Sequence, residues 1–171
     1  MNLEVKNIKN IPLKNEFREK EILIRNYRTS DYAFTLEILE ELYDTYHRGL
    51  KEGEWKPSSG LRLFKPNLKR VTLIAELKST GEVIGMGVIE ALKSALGHYI
   101  GYLYNWAIKK RFVGKSIGKI LADQAIQILK SWGCNSIRIN LGYKTPEKLI
   151  NVFKNIGFKP IMIVLEKRFE N

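Results

Sequence analysis

The sequence is poor in residues that form cross-links or bind metals. Its 171 residues include one cysteine and two histidines, Cys134, His47 and His98. A lone cysteine forms no internal disulfide and holds no metal cluster by itself. We therefore predict no metal site, a structural role for the Cys134 thiol and a surface position for both histidines.

Long apolar runs are also missing. No stretch approaches the roughly 18 consecutive apolar residues that a membrane-spanning helix requires. Residues 1–20 are polar and mixed in charge, without the apolar core of a secretory signal. We expect a cytoplasmic protein that does not bind a membrane, with residues 1–20 as an N-terminal extension and residues 21–171 as one folded domain.

Acidic residues are too few to balance the basic ones. Lysine and arginine number 29 against 18 aspartate and glutamate residues, which gives a formal net charge of +11. Hydrophobic residues make up 44% of the chain, as in folded proteins. The excess charge is compatible with a lysine-rich surface or with an anionic partner, either nucleic acid or a polyphosphate cofactor.

Hydrophobic periodicity predicts alternating helices and strands. Strands are predicted at 22–28, 71–77, 83–92, 99–108, 136–142 and 158–167, and helices after Asp31, at 116–132 and from Thr145 to Gly157, with loop and a short helix across 49–70. A hairpin followed by strand, helix and strand indicates a mixed sheet. The strands at 99–108 and 136–142 should be parallel neighbours joined by a right-handed helical crossover.

The segment from Val113 to Lys119 lies between a predicted strand and a predicted helix. Its small residues let backbone N–H groups approach an anion, and the helix N-terminus adds partial positive charge. Lys115 and Lys119 add full charges. The pattern is compatible with a pyrophosphate cradle and also with a plain tight turn.

Four segments, taken in order, resemble the GNAT superfamily of acyltransferases. They are ILIRNYRTSDYAFTLEIL, LIAELKSTGEVIGMGVIE, WAIKKRFVGKSIGKILADQAI and LINVFKNIGFKPI, within residues 22–167. The resemblance implies an α/β fold: a mixed, mostly antiparallel sheet with a parallel, splayed β-α-β pair, flanked by helices. It also implies transfer of an acetyl group from acetyl-CoA to a primary amine by direct attack.

By this resemblance the cofactor lies along the third segment. The implied cofactor-binding residues are Ala107, Ile108, Val113, Gly114, Lys115, Ser116, Ile117, Gly118 and Lys119. The backbone amide near Ile108 is expected to polarise the thioester carbonyl.

The sequence departs from the family pattern at several positions. Val113 and Ser116 replace the first and fourth residues of the family's Arg/Gln-x-x-Gly-x-Gly/Ala motif. Phe153 replaces a tyrosine that often protonates the departing thiolate, and Pro146 replaces an asparagine. These departures leave open an alternative function, a non-catalytic acyl-CoA-binding or regulatory module of the same fold.

Four residues on or near the splayed strands are candidate acid–base groups. The candidates are Glu90, Asn105, Tyr104 and Tyr143; Asn105 can only orient a water, and Tyr143 is the preferred replacement acid. The acceptor is expected to be a small-molecule or peptide amine.

Basic and aromatic clusters bear on the partner. A cluster formed by Arg62, Lys65, Lys69 and Arg70 favours an acidic acceptor, and Trp55, Phe64, Tyr104 and Trp106 could line its pocket or pack in the core. The run from Lys109 to Arg111 could face solvent, touch phosphates or bind nucleic acid. Because no nucleic-acid-binding motif is present, we do not expect nucleic acid as the partner. A homodimer is compatible with the sequence.

Overall fold

The computed structural model describes residues 19–46, 54–141, 145–163 and 167. The chain divides into two compact units, Met1–Asn140 and Leu141–Asn171. Of the predicted N-terminal extension, only residues 19 and 20 lie within the described residues. No helix in the described part of the chain is long and apolar enough to cross a membrane.

The described residues of the first unit form a six-stranded sheet and two long helices. Its elements are β1 (Ile22–Asn26), α1 (Tyr32–Tyr46), β2 (Leu63–Lys65), β3 (Leu68–Leu77), β4 (Val83–Lys93), β5 (Tyr99–Ile108), α2 (Ile117–Ser131) and β6 (Cys134–Ile139). The predicted hairpin, the strand at 99–108 and the crossover helix are confirmed. The short helix predicted within 49–70 is wrong for residues 54–70, where β2 pairs with the start of β3.

The strand order is β1-β3-β4-β5-β6, with β2 also paired to β3. All pairs are antiparallel except β5 and β6, which are parallel. This is the predicted mixed, mostly antiparallel sheet. Helix α2 connects the parallel strands because parallel neighbours need a crossover that returns the chain to the same end.

Helix α1 covers one face of the sheet. Ile38 and Leu39 pack with the strand residues Ile74, Met86 and Val88. On α1, Tyr43 is exposed whereas Thr35 is fully buried. Thr35 is satisfied there by a hydrogen bond from the indole nitrogen of Trp55, 3.0 Å away.

Helix α2 covers the opposite face. A Cβ placed on Gly101 of β5 would lie 2.9 Å from Leu129, so the helix approaches this strand closely. The buried residues of α2 are Ile117, Leu121, Ala122, Ala125 and Leu129. Ile128 and the C-cap residue Trp132 are only half-buried.

The second unit contains helix α3 (Glu147–Asn155). Pro146 is the N-cap of α3, and the helix lies within the predicted span from Thr145 to Gly157. Residues 158–163 form no strand, contrary to the predicted strand at 158–167, of which residues 164–166 lie outside the described residues. The ring of Phe153 packs edge-on against Phe158, with centroids 5.7 Å apart.

Candidate functional site

The loop between β5 and α2 has an unusual backbone. Gly114 has a φ of +82° and Ser116 a φ of +63°. Glycine adopts this left-handed region freely, whereas for serine it costs about 1–2 kcal/mol. Ser116 is the N-cap of α2, yet its hydroxyl forms no capping hydrogen bond. The loop therefore keeps its shape at an energetic cost that capping does not offset.

This shape presents backbone donors at the start of α2. The first hydrogen bonds of the helix are donated by Lys119 and Ile120 to the carbonyl of Ser116. In the described part of the chain, no protein acceptor is recorded for the N–H groups of Gly114, Ile117 or Gly118. Unsatisfied N–H groups at the positive end of a 15-residue helix form a ready site for an anion.

Gly118 leaves open space beside these donors. A Cβ at this position would meet nothing nearer than the Ile108 side chain, at 4.0 Å. Packing within the protein therefore does not require glycine at position 118. A ligand that lies against the loop would require it, because a side chain would fill the space that the ligand occupies.

The side chains of the loop contribute less than the backbone. Val113 is 64% exposed and carries no polar group. The ammonium of Lys115 lies over the ring of Phe112, 5.4 Å from its centroid. Lys119 pairs with Asp123 at 2.7 Å on the exposed surface of α2, where such a pair is weak enough to exchange for another anion.

The basic run that precedes the loop is held by acidic residues. The Lys109 side chain is only 9% exposed and lies 2.9 Å from Glu37 of α1 and 3.7 Å from Glu82. Arg111 also binds Glu82, and the backbone N–H of Lys110 donates to Glu41. The side chains of Lys110 and Arg111 are exposed, so Lys109 is the member of the run that is withdrawn from solvent. It ties the end of β5 to α1 and to the β3–β4 turn.

Strands β5 and β6 separate before β5 ends. Their paired residues run from Tyr99 and Cys134 to Leu103 and Ile139, whereas β5 continues to Ile108. Beyond Leu103, β5 thus has an edge that β6 does not cover. This open edge leads directly to the loop at the start of α2.

A β-bulge lies on the open part of β5. Met86 pairs with Ala107 and Val88 with Tyr104, so Asn105 and Trp106 both oppose Gly87. Asn105 has a φ of +46°, and the Trp106 ring occupies the space where a Cβ on Gly87 would stand, 2.3 Å away. The bulge bends β5 where the two strands part.

The pairing of β5 with β4 also determines the direction in which the backbone N–H groups of β5 point beyond the bulge. Lys109 N–H donates to the carbonyl of Ile84 on β4. Because N–H groups alternate in direction along a strand, Ile108 N–H points away from β4, to the open edge. Ala107 faces β4 with its backbone, and its side chain lies in the core beside Met86.

Polar groups line the α1 face of the sheet next to the open edge. Glu90 is 6% exposed and receives a 2.7 Å hydrogen bond from Nε of Arg70, its cross-strand partner. The ring of Tyr104 stacks on Tyr102, with centroids 5.9 Å apart. Burial, with a smaller contribution from the negative charge of Glu90, raises the pKa of the Tyr104 hydroxyl above its usual value. Tyr104 therefore stays protonated at neutral pH.

Among the described residues, the other predicted candidates do not form one group on this face. Tyr143 and His47 lie outside the described residues, and His98 is exposed in the turn before β5. Lys69 points to the opposite face from Arg70, over Tyr99, so the predicted basic cluster is divided. Trp55 is buried in the core and Phe64 packs against Trp132, so the aromatic set does not form a common pocket.

Two features of this site could not be read from the sequence. The pairing of Arg70 with Glu90 and the clamp on Lys109 depend on strand register and on contacts between distant segments. The only sequence signal was the presence of charged residues inside otherwise apolar strands. Among the described residues, no group of His, Cys, Asp and Glu side chains could hold a metal ion.

Comparisons with known proteins bear on this geometry. The sequence profile of the Acetyltransferase (GNAT) family matches residues 36–158. No curated protein matches the chain.

Several solved structures share the fold. An acetyltransferase from Trypanosoma brucei has a TM-score of 0.65 at 18% identity, over 86% of this chain and 99% of that one. Glucosamine-6-phosphate N-acetyltransferase from Arabidopsis thaliana has a TM-score of 0.64 at 20% identity, over 87% and 99%. An aminoglycoside acetyltransferase from an uncultured soil metagenomic sample, in complex with sisomicin, has a TM-score of 0.67 at 13% identity, over 90% and 99%.

Proposed function

Because this chain belongs to the acetyltransferase (GNAT) family, we propose that it transfers an acetyl group from acetyl-CoA to a primary amine. The observation that carries the proposal is the continuity of the site. The open edge of β5 is followed by a loop whose N–H groups at Gly114, Ile117 and Gly118 have no acceptor among the described residues. A long thioester with a pyrophosphate at one end fits such an arrangement.

The pyrophosphate is assigned to the loop. The N–H groups of Gly114, Ile117 and Gly118 would hold its oxygens, with the N-terminus of α2 adding partial positive charge. The side chains of Lys115, Ser116 and Lys119 lie on the same segment and would add charge and a hydroxyl. Val113 supplies only backbone, so this cradle depends on main-chain donors more than on an arginine.

The thioester is assigned to the open edge of β5. There the outward N–H of Ile108 would donate to the carbonyl oxygen of the acetyl group, which gains negative charge during attack. In the reaction the amine nitrogen bonds to the acetyl carbon and the C–S bond breaks. The amine loses one proton, and the departing thiolate takes one up.

Proton transfer is assigned to the α1 face. Glu90 is the candidate base, acting through a water that Asn105 can orient, and Arg70 holds its carboxylate in place. Tyr104 is protonated and lies at the first position beyond the last paired residue of β5, so it is the described candidate for the proton donor. Tyr143, the donor predicted from the sequence, remains a second candidate. General acid–base assistance is worth about 10²–10⁴-fold.

The acceptor is proposed to be an amine because of the relatives. The structure from Arabidopsis thaliana is named as an N-acetyltransferase, and the soil-derived enzyme is named for aminoglycosides. Both likenesses are under 25% identity and show the fold alone. They support an amine acceptor here without identifying it.

The second candidate function is a non-catalytic acyl-CoA-binding module. Val113, the strained Ser116 and the ion pair that occupies Glu90 favour it. It predicts that acetyl-CoA binds while no amine is acetylated.

Isothermal titration with acetyl-CoA tests the proposal. We expect micromolar affinity that falls when the phosphates of the ligand are removed. Gly118→Trp should abolish binding because the indole would fill the space beside the loop donors, whereas Gly118→Ala, whose Cβ meets only Ile108 at 4.0 Å, should keep the protein folded with a smaller loss. Normal binding by Gly118→Trp would refute the assigned cradle. A screen of amines with acetyl-CoA then separates the enzyme from the binding module.

A further inference from the structure

Buried and half-buried cations in the described part of the chain nearly all have partners. Arg25 binds Asp31 and Glu76, Lys69 lies over Tyr99, Arg70 binds Glu90, Lys109 binds Glu37, and Lys115 lies over Phe112. Arg138 of β6 is the exception. It is half-buried, and no hydrogen bond, ion pair or ring contact with another described residue is recorded for it.

Arg138 shares a face of the sheet with the candidate acid–base groups. Residues Arg70, Glu90, Tyr102 and Arg138 are successive cross-strand partners on β3, β4, β5 and β6. Partners in register point to the same face, and the stacking of Tyr102 on Tyr104 places Tyr104 on that face as well. Two strand spacings, about 9.5 Å, separate the Cα atoms of Glu90 and Arg138.

The charge on this row is not balanced. Arg70 and Glu90 neutralise each other at 2.6 Å, which leaves the charge of Arg138 in excess. A half-buried charge without a partner is unfavourable, and a ligand anion would correct this. A guanidinium binds carboxylate or phosphate through paired hydrogen bonds, so it also fixes the orientation of the group it holds.

We propose that Arg138 binds an anionic group of the acceptor and thereby directs its amine to Glu90 and Tyr104. This inference rests on the proposed acetyltransferase function. It names the substrate class as a small amine that carries a carboxylate or phosphate a few bonds from its nitrogen. Arg138 lies one residue before Ile139, the last paired residue of β6, so such an acceptor would lie beside the point where the strands separate. Amines without an anion should be poor acceptors.

Matched pairs of acceptors test the proposal. We would compare O-phosphoethanolamine with ethanolamine, and β-alanine with propylamine, each with saturating acetyl-CoA. The wild-type protein should favour the anionic member by roughly 10- to 100-fold in kcat/KM, mostly through KM, as expected for a charge-assisted hydrogen bond. Arg138→Gln should remove this preference through KM with little change in kcat, and Arg138→Lys should retain part of it.

The matched control is Lys130→Gln. It removes one positive charge from an exposed residue in the last turn of α2, the helix on the opposite face of the sheet, and the preference should persist. Equal use of both members of each pair, or an unchanged preference in Arg138→Gln, would overturn the anion site and leave the acetyltransferase proposal intact.

Failure to acetylate any amine would instead count against the enzymatic function. Titration of the acetyl-CoA-loaded protein with O-phosphoethanolamine then tests the anion site by binding, independently of any acetylation. Binding that Arg138→Gln abolishes would support it, and absence of binding to the wild-type protein would overturn it.

Discussion

The strained serine at the start of α2 gives a prediction with a definite sign. Ser116 has a φ of +63°, a conformation that costs an L-residue with a side chain about 1–2 kcal/mol. Ser116→Gly removes this cost. No capping hydrogen bond is lost, because the Ser116 hydroxyl makes none.

The gain is reduced by the unfolded state. Glycine has more conformations to lose on folding, which costs roughly 0.4–1 kcal/mol. We therefore expect Ser116→Gly to raise the free energy of unfolding by about 0.5–1 kcal/mol, the difference between the two contributions. For a chain of this size the corresponding rise in Tm is roughly 2–4 °C per kcal/mol.

Replacing a glycine by a larger residue in the same loop should lower the free energy of unfolding. Gly114 has a φ of +82°, and a Cβ there would meet no atom within 4 Å. The loss in Gly114→Ala, about 1–2 kcal/mol, should therefore come from the backbone alone. Gly118→Ala is the matched control, because its φ is ordinary and it lies within α2, where alanine is the better helix former by about 0.8–1 kcal/mol.

Urea denaturation of the three variants measures these changes. We expect Ser116→Gly to raise the free energy of unfolding and Gly114→Ala to lower it, with equal m-values for both variants. A loss of stability in Ser116→Gly would show that the left-handed conformation at this position is not strained. Unchanged stability in Gly114→Ala would refute the assigned loop backbone, and with it the geometry on which the proposed anion site rests.

Three other contacts give testable outcomes. Lys109→Met should weaken acetyl-CoA binding several-fold while the sheet stays folded, because the clamp on the end of β5 is lost; unchanged affinity in a titration would contradict a positioning role. Burial alone would raise the pKa of Asp31, but hydrogen bonds from Arg25 and from the backbone outweigh it and lower that pKa. The stabilisation is therefore present above about pH 4 and lost as the pH falls through the lower folded-state pKa, so Asp31→Asn should flatten the acid limb of the stability curve. An acid limb with the same slope in Asp31→Asn as in the wild-type protein would contradict this stabilisation by Asp31. Gly87→Ala should cost about 1–3 kcal/mol in urea denaturation, because its Cβ would stand 2.3 Å from the Trp106 ring, and a neutral result would place the bulge elsewhere.

Local patterns in the sequence were sufficient for most of the fold. The strand at 99–108 and the helix after it were bounded within one residue, because an apolar run and a helical stripe are set by neighbours along the chain. The loop at 113–119 could be recognised for the same reason: its small residues and the helix start are contiguous.

Prediction failed where an element depends on partners distant in sequence. Strand β2 has only three residues, and its pairing with β3 defines it more than its composition does. The run at 158–163 is mostly apolar but contains Lys159 and Pro160, and it forms no strand in the structure. Apolar character alone does not supply the hydrogen-bonding neighbour that a strand requires.

The sequence by itself determined the family, the order of the main elements and the position of the loop between β5 and α2, because each of these depends on contiguous segments. Tertiary structure alone decided which charges meet. Glu90 is paired because register places Arg70 opposite it, and Lys109 is buried because α1 brings Glu37 to within 2.9 Å. Arg138 has no partner among the described residues for the same reason, since the row across four strands supplies a single acidic group and Arg70 already binds it.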